Sequence, residues 1–265
     1  MKNTELYKYP RTKHLEGSNA QIGDSLKKFP YITIYGKYVV IEEKVDGAQF
    51  GVSFEESGDL LLQSRGHYLT GGYGERYFNY LKSFFSHRKW SLFEVLGSRY
   101  ILYGENMYCK HTIFYNRLPS YFMEYDVYDK ENGVFLSTSA RNELLAPLRK
   151  IIIPVKVLFS GNNFLNYEQF TDLVTSSNYI DTNDIKSDFF LSCMAGNSDL
   201  EIEEKRTDLG GIMEGLYVKV EEGSVVLERY KWVRGSFTQT VLDSASHWQT
   251  RKIVRNRTCP DVQYV

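Results

Sequence analysis

The sequence predicts an α+β domain built mainly on antiparallel sheet, with helices at its periphery. Three observations lead there. Short runs rich in Val, Ile, Tyr and Phe recur along the chain, Gly-containing turns of hairpin length separate several of them, and only a few stretches carry helical periodicity. The 265 residues are enough for one large domain, or a domain with a small appendage, but not for two full-sized ones.

Residues 7–30 are polar and turn-rich and read either as a loop packed over the domain, closing a site with Lys13 or His14, or as a solvated arm. Tyr31–Tyr35 and Tyr38–Glu42, separated by Gly36-Lys37, predict a hairpin. Gln49–Phe54 and Leu60–Ser64 alternate around a Glu55–Asp59 turn and predict a meander. Tyr77, Phe78, Leu81, Phe84 and Phe85 fall at helical spacing, so 77–85 is an amphipathic helix whose aromatics enter the core. Tyr100–Glu105 and Ser120–Asp129 are strands, 139–150 a helix and Val155–Phe159 a strand. Residues 160–206 are polar and mixed, helical over Tyr167–Val174, and suited to a lid-like segment. Gly210–Val220, glycine-hinged and running into a strand, and Val225–Arg234 flank the turn Glu221–Ser224 as a second hairpin, with Arg229, Lys231 and Val233 on one face.

The formal net charge of -1 excludes a chain that holds nucleic acid by bulk charge, so any basic surface must be local. The 21 tyrosines and 16 phenylalanines suit sheet packing first and base stacking second. Three cysteines, Cys109, Cys193 and Cys259, lie far apart without Cys-x-x-Cys spacing, so neither a disulfide framework nor a zinc site is indicated. With no apolar leader and no run of about 18 apolar residues, the expectation is a soluble, cytoplasmic protein without a membrane partner.

The chain is organised around Ile41–Phe50, a strand-to-turn segment that presents Lys44 beside carboxylates, with Gly47 leaving room for close backbone approach. By itself it fits an exposed turn as well as a site. Downstream, Arg65, Glu105, Glu214 and Lys231 each stand at or near a strand end. A free lysine is a poor nucleophile at neutral pH and needs its pKa depressed; Arg229 and Lys231 are the candidate cations for that. Asp46, Glu105 and Glu214 supply the oxygen donors that a hydrated Mg²⁺ prefers.

The ordered series Lys44-Val45-Asp46-Gly47, Ser64-Arg65-Gly66, Tyr103-Gly104-Glu105, Phe122–Asp126, Glu214–Lys219 and Arg229-Tyr230-Lys231 resembles the motifs of covalent nucleotidyltransferases, the ATP-dependent polynucleotide ligases and messenger-RNA capping enzymes. It looks most like the ATP-dependent RNA ligases of the nick-sealing phage and bacterial type, over roughly residues 40–234. The resemblance implies the nucleotidyltransferase fold, with antiparallel sheets flanking a nucleotide-binding cleft. It implies that Lys44 attacks the α-phosphate of ATP and carries AMP as a covalent lysyl-AMP, with Mg²⁺, or alternatively Mn²⁺, as the metal. AMP then passes to an RNA 5′-phosphate and is displaced by a 3′-OH. Residue by residue, it places Glu43 by the adenine, Phe122 stacked on it, Arg65 at ribose or the incoming phosphate, and Lys219 and Lys231 at the α-phosphate. Glu105 and Glu214 are assigned to ribose or metal waters, and Asp46 to the metal. Two positions depart from the pattern: Arg229 stands where many such ligases have lysine, and Gln49 where asparagine is common. The rivals are a DNA ligase or a GTP-using capping enzyme, and a non-catalytic nucleic-acid-binding domain of the same fold.

The expected organisation is a nucleotidyltransferase domain over 1–240 and a short basic tail over 241–265, with no OB-fold, since about 34 residues follow Lys231. The stretch His247–Arg257 combines an indole with four cations and suits a phosphate backbone as well as a domain-capping end. Substrate docking is then expected to fall to this tail, to 160–206 or to a partner protein.

Overall fold

The computed structural model of the protein describes residues 6–20, 27–243 and 251–260. In chain order the strands are β1 (Lys13–Leu15), β2 (Lys28–Phe29), β3 (Tyr38–Lys44), β4 (Ala48–Phe54), β5 (Leu60–Gln63), β6 (Tyr100–Asn106), β7 (Phe122–Asp129), β8 (Val134–Leu136), β9 (Ile153–Pro154), β10 (Val157–Asn162), β11 (Gly215–Glu222) and β12 (Val225–Val233). The α-helices are α1 (Asn79–His87), α2 (Lys89–Leu96), α3 (Thr138–Leu144), α4 (Tyr167–Thr171), α5 (Ile185–Ala195), α6 (Leu200–Lys205) and α7 (Gly235–Asp243).

All these strands belong to one sheet, in the order β10-β3-β11-β12-β8-β7-β6-β4-β5, with β1, β2 and β9 attached to its side. The long neighbours pair antiparallel, β4–β5 and β11–β12 through short hairpin turns. The sheet folds on itself around the short β8. In a flat sheet β11 and β7, three strands apart, would be separated by roughly 14 Å. Instead Lys219 Nζ of β11 lies 3.2 Å from Asp126 of β7. Two half-sheets therefore face each other across a cleft.

Strand alternation assigns the two faces. Val39 and Ile41 of β3, Leu216 and Val218 of β11 and Tyr230 of β12 turn away from the cleft and pack with Leu15, Ile34 and Phe170. The opposite phase, Glu42, Lys44, Tyr217, Lys219, Arg229 and Lys231, turns inward; in the registers Tyr217 stands opposite both Glu42 and Lys231. Behind the other half-sheet lies the main core, where Phe50, Phe54 and Phe122 meet Leu81 and Phe85 of α1 and Leu92 and Leu96 of α2.

Residues 31–35 are not the first arm of a hairpin. Tyr31–Thr33 form one turn of 3₁₀ helix after Pro30, and both edges of β3 are already taken by β10 and β11. Tyr31 and Ile34 are buried while Ile32 is exposed, an i, i+3 pattern that outweighs β-propensity here. The expected 77–85 helix begins two residues later, as α1, after a 3₁₀ turn over Tyr73–Phe78. Of the tail, His247 and Trp248 lie outside the described residues. Arg251–Arg257 runs against 107–115, where Asn256 accepts from Tyr115 N and donates to Met107 O. Among the described residues no helix is long and apolar enough to cross a membrane.

Phe50 is fully buried and stacks on Phe85 at 5.4 Å. Phe50→Ala should cost about 3–5 kcal/mol of stability, read as a lowered midpoint in chemical denaturation with an unchanged slope.

Candidate active site

Lys44 closes β3 and faces Gly215 at the start of β11, so two adjacent strand ends bring it beside Glu214. Its ammonium donates to Glu214 Oε2 at 2.7 Å, with 26 % of the Lys44 side chain exposed. Glu105, at the end of β6, and Asp46, two residues past Lys44, complete the group. Both act electrostatically on Lys44, and Lys231 acts on Glu214. Asp46 is fixed from outside the cleft: its Oδ2 accepts the backbone N–H groups of Thr112 (2.7 Å) and Ile113 (2.8 Å). Gly47 permits the close approach of β6, since a Cβ there would stand 2.6 Å from Asn106 O and 2.8 Å from Glu105 Cγ.

Burial lowers the pKa of Lys44, but the carboxylates of Glu214, Glu105 and Asp46 outweigh it and leave the amine raised. The expectation that Arg229 and Lys231 depress it is therefore overturned. Burial pushes Glu105 up to about 8, reinforced by Glu214 and Asp46 against Lys44. It likewise lifts Glu214 to about 7, so a proton acceptor poised near neutrality touches the lysine.

Beneath Lys44 lies a layer of buried charge. Glu42 meets Arg141 at 2.7 Å and Lys219 at 3.0 Å, Lys219 meets Asp126 at 3.2 Å, and Arg141 meets Glu124 at 3.1 Å. Tyr9 and Tyr217 both donate hydroxyl hydrogens to Asp126, at 2.5 and 2.6 Å. Although burial raises Asp126, Lys219 and Arg229 prevail and hold it below the ordinary carboxylate range.

Several residues singled out by resemblance sit elsewhere. Lys219 is completely buried in the charged layer, so it underlies the cleft instead of opening into it. Arg229 stacks between the rings of Tyr9 and Phe135, 4.6 and 3.9 Å from their centres, and faces Asp126. Phe122 is fully buried against Phe50 and Phe85, out of reach of a base in the cleft. The aromatics lining the cleft are Tyr9, Tyr217 and, with Glu43, Lys44 and Glu105, Tyr125. Tyr125 is the one residue of β7 without a partner where the register to β6 shifts between Tyr103 and Gly104, and such a bulge re-aims a side chain. Glu43 borders the cleft, but its carboxylate is taken by Ser177 Oγ (2.5 Å) and by Asn178 N and Nδ2 (3.0 and 2.8 Å). Arg65 is exposed on the turn after the edge strand β5.

The N-terminal segment does reach the cleft, through Tyr9 and Thr12. Lys13 instead pairs with Glu228, and His14 is buried against Ser18. Gln49, opposite Glu105, has both amide atoms buried without a hydrogen-bond partner. Among the described residues, no three His, Cys, Asp or Glu side chains form a group that could hold a metal ion by themselves, Asp46, Glu105 and Glu214 included.

Comparison with known proteins agrees with this geometry. The RNA ligase family model matches residues 37–233. Among solved structures, the chain is similar to the RNA ligase of Naegleria gruberi. A variant with ATP and manganese gives a TM-score of 0.52 at 13 % identity, over 80 % of this chain and 54 % of that one. A second variant with ATP and manganese gives 0.53 at 12 %, over 91 % and 64 %. The form with pyrophosphate gives 0.50 at 13 %, over 88 % and 62 %. The chain thus spans between about half and two thirds of those proteins' length. A comparison with curated proteins found no match. The fold is that of the nucleotidyltransferases, of class α+β. The chain belongs to the RNA ligase family.

Lys219→Met leaves Glu42 and Asp126 without their shared cation and should cost about 3–5 kcal/mol, measured by urea unfolding. Glu105 gives a pH signature. Because its folded pKa of about 8 lies above the ordinary 4.5, the native state keeps a proton that the unfolded chain sheds. Its contribution to stability is therefore lost as pH rises through that window. Glu105→Gln should flatten this decline, seen by comparing unfolding free energies at about pH 5 and pH 8.

Proposed function

We propose that the protein is an ATP-dependent RNA ligase that works through a lysyl-AMP formed on Lys44. The observation that carries this reading is the cluster itself. In a chain of the RNA ligase family, one partly exposed lysine contacts a buried carboxylate whose pKa is near neutral, inside a cleft bordered by Tyr125. The ATP, manganese and pyrophosphate named for the Naegleria ligase structures support it.

In the first step the Lys44 nitrogen attacks the α-phosphate of ATP, an N–P bond forms and pyrophosphate leaves. The amine must first lose a proton, and Glu214, 2.7 Å away, is placed to accept it. Lys231 sits beside Glu214 on the same face and is the cation nearest the transferred phosphoryl group. The ring of Tyr125 offers a stacking surface for the adenine. Lys219 and Arg229 act from below, by holding Asp126 ionised and the two half-sheets at a fixed separation.

A divalent cation, Mg²⁺ or Mn²⁺, when bound would neutralise phosphate charge and weaken the hold of the carboxylates on the Lys44 proton. Glu105 and Glu214 fit that role as partial donors, because Mg²⁺ is commonly held by one or two carboxylates together with substrate phosphates and water. In the later steps AMP passes to an RNA 5′-phosphate, and a 3′-OH displaces it to close the phosphodiester.

Incubation with α-labelled ATP, followed by a denaturing gel, should leave label on the wild type and none on Lys44→Ala. The labelled protein should then seal nicked RNA. Label from GTP alone would identify a capping-type enzyme, and sealing confined to DNA a DNA ligase. RNA binding without label from either nucleotide would identify a non-catalytic domain. Each of these outcomes overturns the proposal.

A further inference from the structure

Away from Lys44, a groove of about 680 Å³ opens between α5 and the C-terminal segment. We infer that it seats the RNA strand, with Lys252, Arg255 and Arg257 gripping phosphodiester groups and Leu191 and Tyr108 facing the bases. The inference rests on the ligase reading above.

The lining is chemically divided. Residues 252–257 supply three cations and Arg76 a fourth, and among the described lining residues none is acidic, in a chain whose net charge is -1. The other wall belongs to α5, where Leu191 is 53 % exposed, and to Tyr108, whose ring stacks on Tyr80 at 4.9 Å. A single strand is amphipathic in the same sense, with charge along one edge and flat apolar bases along the other.

The cations stand on a fixed track. Lys110 N donates to Val254 O and Asn256 N to Tyr108 O, and Arg255 bridges Cys109, so Val254 and Asn256 turn inward and Arg255 and Arg257 outward, with Lys252 exposed just before this alternation. Arg255 is exposed, the Lys252 ammonium donates to Asn197 O and Arg257 pairs with Asp188. The track also leads to the reacting end. The 108–113 segment against which it runs continues directly into the Thr112 and Ile113 amides that hold Asp46, two residues from Lys44. A strand lying in the groove is thereby directed toward the lysine. Residues 251–257 lie beyond the 37–233 stretch matched to the family.

The test uses the full chain and a fluorescent 5′-phosphorylated single-stranded RNA, with affinity read by anisotropy at several salt concentrations. Lys252→Ser/Arg255→Ser should weaken binding at least 10-fold and reduce the salt slope by about 1.4, two phosphates at about 0.7 each. Leu191→Glu should weaken it as well. Lys37→Ser, which removes an exposed cation paired with Glu228, should leave affinity within about 2-fold. Labelling with α-labelled ATP in the same preparations reports folding and the first step independently. Unchanged RNA affinity in the double variant, with normal labelling, overturns the groove and leaves the ligase reading intact. Weaker RNA binding by the double variant, with a wild type that never takes label, would support the groove and overturn the ligase reading. Equal weakening by Lys37→Ser would reduce the effect to bulk charge, and equal binding of a polyglutamate peptide through Lys252 and Arg255 would make the occupant an acidic protein; either overturns the assignment.

Discussion

The structure depends on one buried lattice of charge, Glu42, Glu124 and Asp126 against Lys219, Arg141 and Arg229. The first five of these groups are essentially without solvent contact. Ions in such a place are expensive unless every partner is present, so the layer tolerates only a narrow range of geometries. Lys219 reaches from β11 to Asp126 on β7 and so fixes how far the folded sheet can open. Burial lifts Asp126, yet the surrounding cations prevail and keep it ionised, which keeps the lattice closed. Lys44 and Glu214 on one half-sheet, and Glu105 on the other, inherit their separation from that lattice.

The upper tier of the cleft behaves differently. There burial, reinforced by neighbouring carboxylates, raises the pKa values of Glu105 and Glu214 against the pull of Lys44. Excess negative charge in a partly open cleft is unfavourable for the empty molecule and favourable for a cation arriving with phosphate. A tightly paired floor and a frustrated roof thus divide the work, one keeping dimensions and the other keeping reactivity.

Much of this was legible in the sequence. Lys44, Glu105 and Glu214 stand at or next to strand ends, near Gly47, Gly104 and Gly215, where backbone crowding leaves no room for a Cβ. What escaped has specific causes. Tyr31–Tyr35 has strand composition, but Pro30 and the inward pair Tyr31 and Ile34 turn it into a helical turn. Tyr125, which no motif singled out, lines the cleft at a one-residue bulge that nothing in the local sequence announces. Tyr9 joins the site through contacts more than a hundred residues away, which leave no periodic trace. The net sign of the field on Lys44 depends on which of several nearby charges point inward, and that is settled by tertiary packing alone.

Gly47 shows how such a cleft constrains its own history. No atom of this residue has chemistry to perform, yet even a methyl group at this point would collide with the Asn106 carbonyl and the stem of Glu105. A descendant carrying alanine here would retain each charged group and still hold them at the wrong spacing. Evolutionary drift at position 47 is therefore closed by metric tolerance, in a way that an inventory of reactive side chains would not reveal.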